Sequence, residues 1–403
     1  MTIVTLSEEL QWRGLIKDKT FSDNNWLDKP RVFYLGIDAS SDSLTVGNLA
    51  IIILARRLAD VGWKAVMVMG GGTSLVGDPG GKTEERQLMS RETIVNNIKG
   101  VKTQVTKLFS GEEYIMLDNY DWLAGLKYVD FLREVGKHFS MTELMHRDFV
   151  TERMGKGGAG ISYAEFSYSL VQGYDFWHLY NKHNVTMQIG GSDQWGNLLS
   201  GVSLIRKKEG KEAHALSMPL IVNKTTGQKF GKSESGAIWL DEKKTSPHDF
   251  YQFWLSTDDD SVEDYLKIFT ELNKVEIVKL MQEFKSDKKA RIAQKNLAYK
   301  VTKLVHGQKA TEQAEKAAEA LSSSTETTGL KITNATADIV ETLVKVGLAS
   351  SKTEARQLLA SGGVYINGKQ TTKTAFETSD FQDGLLKLRR GKTLKNTVIV
   401  KQK

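Results

Sequence analysis

The chain has no cysteine. Disulfides, thiolate metal ligands and cysteine nucleophiles are excluded together. Its seven histidines, at 138, 146, 178, 183, 214, 248 and 306, show no zinc-ligand spacing. Their order gives no ground for a Ser-His-Asp arrangement. No stretch approaches the roughly 18 apolar residues that a membrane span needs. The longest candidate, Leu49 to Ala55, runs into Arg56 and Arg57. The N-terminal segment MTIVTLSEELQWRG carries acids early and lacks the basic-then-apolar run of a secretory signal. The expectation is a cytoplasmic protein with no membrane partner and no protein-bound metal.

What is present is the composition of a globular protein, 40% hydrophobic and 26% charged. At 403 residues, two or three domains are expected. The net charge of +6 is unevenly spread: residues 331–403 hold 13 basic against 6 acidic side chains, and the rest 42 against 43. All the positive excess lies in the last part of the chain. Such a tail suits a phosphate-rich partner or merely keeps the protein in solution.

Residues 30 to 115 alternate strand and helix patterns. RVFYLGID reads as a strand, NLAIIILARRLADVG as a helix and KAVMVMGG as a nearly continuous apolar strand. Continuous apolar runs mark strands covered on both faces, as in a parallel sheet. Helices between them predict a doubly wound, Rossmann-like α/β layer. VTMQIGGSDQWGN repeats the strand–turn–helix pattern, and MPLIVN reads as a further short strand. From about 246 to 320 apolar residues recur at helical spacings of three and four. SSSTETT, at 322–328, reads as a linker. Two short helices and several strands or turns are expected beyond it.

Five stretches carry chemistry. In YLGIDASSDSLTVGN, residues 34–48, a strand enters a small-residue turn and then a helix near Gly47. Such a turn presents N–H groups and hydroxyls to a phosphate or nucleotide. GGGTSLVGDP follows the second apolar strand, and KFGKS, at 229–233, lies in a Gly- and Ser-rich loop. A loop with two lysines can wrap a triphosphate and release it. Tyr168, Gln172 and Asp175 are spaced to share one helix face, either a polar pocket or a solvated stripe. QIGGSDQWGN ends a strand in glycines and polar groups, which suits a ribose or amino-acid site or a capped turn. Rival phosphate motifs fail. Gly81-Lys82-Thr83 would need a glycine where Val76 stands, and after Gly70 and Gly72 a dinucleotide loop would need one where Leu75 stands.

In block order and spacing these stretches resemble the bacterial-type tyrosyl-tRNA synthetases, of the class I aminoacyl-tRNA synthetases, over nearly the whole chain. The most specific pieces are GGGTSLVGDPGGKTEER, GISYAEFSYSLVQGYDF, QIGGSDQWGN, KFGKS and SKTEARQLLASGGVYINGK. The resemblance implies a Rossmann-like catalytic domain over 1–225, with a dimerisation insertion near 120–153. A helical tRNA-binding domain would span 226–320, a linker 321–335, and a small basic α+β RNA-binding domain 336–403. It implies tyrosine and ATP with Mg²⁺ as substrates, tRNA(Tyr) as partner, and a homodimer. Tyr34 and Asp175 would bind the phenol hydroxyl. Tyr168, Gln172 and Asp78, with Thr73 and Gln194 nearby, would hold the amino group. Gly36, Asp38, Gly47, Gly191 and Asp193 would take ribose and adenine. Lys82, Arg86, Lys229, Lys232 and Ser233 would face the pyrophosphate.

The chain departs from the family at the phosphate end of the first stretch. The usual His-Ile-Gly-His is Thr45-Val46-Gly47-Asn48, and Ala39-Ser40 stands where proline and threonine are usual. Ser40 and Thr45 keep hydroxyls that can reach a phosphate, and the Asn48 amide can donate to a ribose oxygen. A non-catalytic RNA-binding relative and a ligase for another amino acid stay open at this point.

Overall fold

The computed structural model describes residues 5–78, 88–155, 158, 160–222, 224, 230, 232–233, 236–323, 332–334, 338–381, 385–391 and 397–401. The chain divides into two compact units, Met1–Ala314 and Glu315–Lys403.

The first unit is built on a six-stranded sheet of β1 (Asp18–Lys19), β2 (Val32–Ile37), β3 (Lys64–Met69), β4 (Tyr114–Asp118), β5 (Met187–Gly191) and β6 (His214–Met218), in the order β1-β6-β5-β2-β3-β4. Strands β2 to β6 run parallel, and β1 pairs antiparallel with β6 at the edge. Every residue of β3 after Lys64 is buried, so both faces of the sheet are covered there, as its unbroken apolar run predicts. The connections β2→β3→β4 step one way across the sheet, whereas β5 and β6 lie on the other side of β2. The strand order therefore reverses between β2 and β5. A crevice opens at the carboxyl ends of strands at such a reversal, and ligands bind there. The expected strand at MPLIVN falls earlier, at HALSM, and only Met218 is common to both. HALSM, buried at every position after His214, pairs with β5 through its backbone, while Leu220 and Val222 of the predicted run are exposed.

Beyond the sheet, helices span Pro247–Leu255, Val262–Phe269, Lys274–Ser286 and Ile292–His306. Ser246 caps the first of these and Pro247 takes its opening turn, where a missing N–H costs nothing. Phe250, Trp254, Tyr265, Phe269, Leu297 and Val301 are buried. Helix Gln308–Ser323 carries the chain across the boundary between units.

The second unit is a five-stranded sheet in the order Lys369–Thr371, Val364–Ile366, Leu385–Arg390, Thr397–Lys401, Ile332–Asn334. Helices Ile339–Lys345 and Lys352–Ala360 supply Ile339, Leu343, Ala355 and Leu359 to a core shared with Val364, Leu388 and Val400. The first hairpin turns on Asn367 and Gly368, with φ of 48° and 84°. Two central residues at positive φ are what a tight hairpin turn requires, and Asn-Gly is the pair that tolerates it best.

Candidate active site

Residues of β2 and of the turns after β3 and β4 meet one buried helix residue. Tyr34 of β2 is 2% exposed and Asp175, on helix Tyr163–His183, is 3% exposed. That helix is fixed at its start by a capping box between Ser162 and Glu165. The Asp175 carboxylate accepts from Trp122 Nε1 at 2.7 Å and from Asn119 Nδ2 at 2.9 Å. Asn119, directly after β4, in turn accepts from the Gly72 N–H at 2.7 Å and donates to Thr73 Oγ1 at 3.0 Å. Burial raises the Asp175 carboxyl to about 7, against the pull of its two donors. The Tyr34 phenol is held well above its ordinary value by burial and then by the Asp175 charge, while hydrogen bonding from Gln188 acts the other way. Tyr168 is shifted the same way, by burial and then by Asp38, Asp78 and Asp175. Tyr34, Tyr168 and Asp175 are therefore buried together, with Asp38 and Asp78 near enough for their charges to act on Tyr168. A phenol hydroxyl entering there meets a buried acceptor and a buried donor.

Asn119 and Trp122 escaped the sequence reading. Their one signal was position, a polar residue at the carboxyl end of a parallel strand. Asn119→Leu is expected to destabilise the first unit by about 2–4 kcal/mol, because it strands the Gly72 N–H and one oxygen of a buried carboxylate. A lowered thermal midpoint is the measurement.

The neighbouring groups continue away from the phenol end. Asp78 is 6% exposed and accepts from Gln194 Nε2 at 2.6 Å. Gln194 Oε1 accepts from Asn197 at 3.0 Å, so the amide cannot turn over without losing both bonds. Thr73 is buried beside Asn119, and Gln172 is half-buried on the helix of Tyr168 and Asp175. These groups fit an ammonium or another small polar group.

Beside Asp78 a small pocket is lined by Asp38, Ser40, Ser74, Gly77 and Met89, among others. Gly36 and Ser40 are exposed and Asp38 is half-buried. At Gly71 any Cβ would collide with the Asp118 carboxylate, so the chain can pass there only as glycine. Gly191 ends β5, and Asp193 is exposed just after it.

Thr45 precedes helix Val46–Asp60, and its hydroxyl and its N–H both donate to Asn48 Oδ1, at 2.9 and 3.0 Å. Asn48 is exposed, and its NH₂ is left to face a ligand. The Thr45 hydroxyl hydrogen is already engaged, so that group meets a phosphate as a donor only if it lets go of Asn48. Segment 238–240 straps this turn: Val46 N–H donates to Ile238 O at 3.0 Å and Leu240 N–H to Leu44 O at 2.8 Å. Phe230 sits beside it, its carbonyl 3.8 Å from where a Cβ on Gly47 would lie. Phe230, within the KFGKS stretch, thus lies at the helix start. Lys232–Ser233 pairs with Gly236–Ala237 in a short antiparallel ladder. Lys82, Arg86 and Lys229 lie outside the described residues.

Comparison with known proteins agrees with this geometry. Residues 27–323 match the family model for tRNA synthetases class I (W and Y), and residues 318–398 match that of the tyrosine–tRNA ligase SYY-like C-terminal domain. The chain is 44% identical to the tyrosine–tRNA ligase of Geobacillus kaustophilus, over 91% of each chain. It is 41% identical to that of Staphylococcus carnosus over 93% of each. Among solved structures, a C-terminally truncated mitochondrial tyrosyl-tRNA synthetase of Aspergillus nidulans superposes with a TM-score of 0.70 at 30% identity, over 79% of this chain and 94% of that one. The chain belongs to the class I tRNA synthetases for tryptophan and tyrosine, and within them to the tyrosine–tRNA ligases.

Proposed function

We propose that the chain is an active tyrosine–tRNA ligase that uses the residues assembled above. The observation that carries this is the buried Tyr34–Asp175 pair, with Asn119 and Trp122 holding the carboxylate in place. The substrate hydroxyl donates to Asp175 and accepts from Tyr34. Phenylalanine would displace solvent from both and bring neither a donor for Asp175 nor an acceptor for Tyr34, so it is rejected. Asp78, Tyr168, Gln172 and Gln194, with Thr73, take the amino end. Gly36, Asp38, Gly47, Gly191 and Asp193 take the nucleoside of ATP.

A carboxylate oxygen of tyrosine then attacks the α-phosphorus, and the bond to the β-phosphate breaks. Pyrophosphate leaves with the Mg²⁺ that arrived on ATP. A terminal hydroxyl of tRNA(Tyr) next attacks the tyrosyl carbonyl and AMP departs. No side chain acts as nucleophile. The protein supplies positioning and charge stabilisation at phosphorus. Ser40, Thr45, Asn48, Lys82, Arg86, Lys229, Lys232 and Ser233 have that role in this proposal.

The reading extends to a homodimer in solution. Tyr128 (63% exposed), Val129 (72%), Met141 (61%), Met154 (53%) and Tyr163 (64%) form an exposed apolar set within and just after segment 120–153. Covering them is what a twofold partner would do. The helices over 226–320 and the basic second unit would hold tRNA through its phosphates. Among the described residues no helix is long and apolar enough to cross a membrane.

Purified protein with ATP, Mg²⁺ and tyrosine should show a burst of tyrosyl-adenylate. No adenylate at high enzyme concentration would sink the proposal. Thr45→Ala should lower the rate of ATP–pyrophosphate exchange about tenfold, the worth of one hydrogen bond to a charged group, with the KM for tyrosine unchanged.

A further inference from the structure

Arg57 lies in the last turn of helix Val46–Asp60, whose first turn carries Gly47 and Asn48. Its side chain is 10% exposed. It donates to Glu9 Oε1 at 3.0 Å and to the carbonyl of Thr270 at 2.6 Å. Glu9 Oε1 also accepts from Arg13 Nε at 2.8 Å. Arg13 reaches the carbonyls of Lys267 and Leu272, at 2.6 and 2.8 Å. Two buried guanidiniums sharing one carboxylate thus hold the carboxyl end of helix Val262–Phe269. The carbonyls there lack intrahelical partners and the helix dipole favours cations, so the contact is attractive.

It is also a costly way to cap a helix. Arg57 Nε is buried without a partner. Burial and the neighbouring Arg13 charge pull the Arg57 guanidinium down to about 10. A solvated lysine would cap the helix without that penalty, so capping alone does not account for the arrangement.

The other face of the clamped helix supplies the reason. Tyr265 and Phe269 pack on the ring of Phe230 with centroids 4.7 and 5.4 Å apart. The Phe230 carbonyl lies next to Gly47. Both ends of helix Val46–Asp60 are therefore tied to the same body, one through Arg57 and the other through Phe230.

We propose that Arg57, with Arg13 and Glu9, is a positioning clamp for adenylate formation, holding helix Val262–Phe269 and Phe230 at a fixed distance from the phosphate end of helix Val46–Asp60. The inference rests on the tyrosine-ligase reading. Arg57 touches no reactant; it acts through Phe230, while the phenol pocket is held by other contacts.

The test is tyrosine-dependent ATP–pyrophosphate exchange by the full chain, carrying Arg57→Met or Arg57→Lys, beside tyrosine binding by equilibrium dialysis. The kcat of Arg57→Met should fall by about tenfold to about a hundredfold, the scale of a small misplacement transmitted from a distance. The Kd for tyrosine should stay within about twofold. Arg57→Lys should recover most of the rate, since one ammonium N–H can still reach the Thr270 carbonyl. Phe230→Leu should cost little more in the Arg57→Met background than Arg57→Met costs alone, because both act through one contact. Should Arg57→Met fail to fold, Glu9→Gln removes the shared charge with both arginines in place and carries the same expectation. An unchanged kcat, losses that multiply with Phe230→Leu, or a Kd that shifts in step with kcat would overturn the clamp. A wild-type chain without exchange would defeat the ligase reading itself, whereas an active wild type with an indifferent Arg57 variant defeats only the clamp.

Discussion

Asp175→Asn is expected to lower kcat/KM for tyrosine about a thousandfold and to leave phenylalanine within about tenfold, because a site built for a hydroxyl discriminates through its buried polar groups. The size of the effect follows from what surrounds the carboxylate. Asn119 Nδ2 and Trp122 Nε1 both donate to it, one to each oxygen. An amide has one oxygen, so its NH₂ must face one of those donors or the substrate hydroxyl. Because each oxygen of the carboxylate already accepts from one of these donors, either way round the amide sets its NH₂ against a buried N–H. ATP–pyrophosphate exchange with each amino acid measures the ratio.

The same residue sets a pH dependence. Burial raises its pKa from the ordinary carboxylate range to about 7, so the fold disfavours its charged form. Its contribution to stability is most favourable below about 4 and declines as pH rises towards about 7. Tyrosine recognition runs the other way, since the carboxylate accepts the substrate hydroxyl more strongly than the protonated acid does. The KM for tyrosine should therefore rise as pH falls below about 7, and Asp175→Asn should remove that dependence.

Removing residues from 330 onward is expected to spare adenylate formation and to lower kcat/KM for tRNA charging about a hundredfold, a loss of a few phosphate contacts' worth of binding. The second unit has its own core and nearly all the surplus positive charge of the chain. The phenol pocket and the Gly47 turn lie wholly in the first unit. Charging by the full chain should also weaken more steeply with salt than charging by the truncated one. If charging survives truncation untouched, the second unit is not a tRNA module.

Much of this arrangement was legible in the residues, and the limits of that legibility have physical causes. The unbroken apolar run of β3 announced a strand covered on both faces. Tyr34 and Asp175 could be paired only through family resemblance, because nothing local says that a strand at 34 and a helix at 175 meet. That meeting depends on β5 lying beside β2, a fact of strand order that periodicity does not carry. Asn119 was invisible for a related reason. Its importance comes from Gly72, Thr73 and Asp175, which lie far from it in sequence. The pairing of Thr45 with Asn48 spans only three positions, yet which hydrogen goes where depends on the helix start and could not be read from residue types. The edge strand β1 is two residues long and carries no pattern at all.

The sheet order of the second unit bears on how the protein is made. Strand Thr397–Lys401 lies between Leu385–Arg390 and Ile332–Asn334, pairing antiparallel with one and parallel with the other. Among the described strands an interior one of this sheet is therefore the last to be synthesised, and Ile332–Asn334 meets the strand it pairs with after residue 401 has left the ribosome. The sheet of the first unit is complete once β6 has emerged at residue 218. Domains generally fold as they appear, amino-terminal first. A nascent chain stalled or cut short by a few residues would thus carry a finished catalytic sheet and an unfinished basic unit.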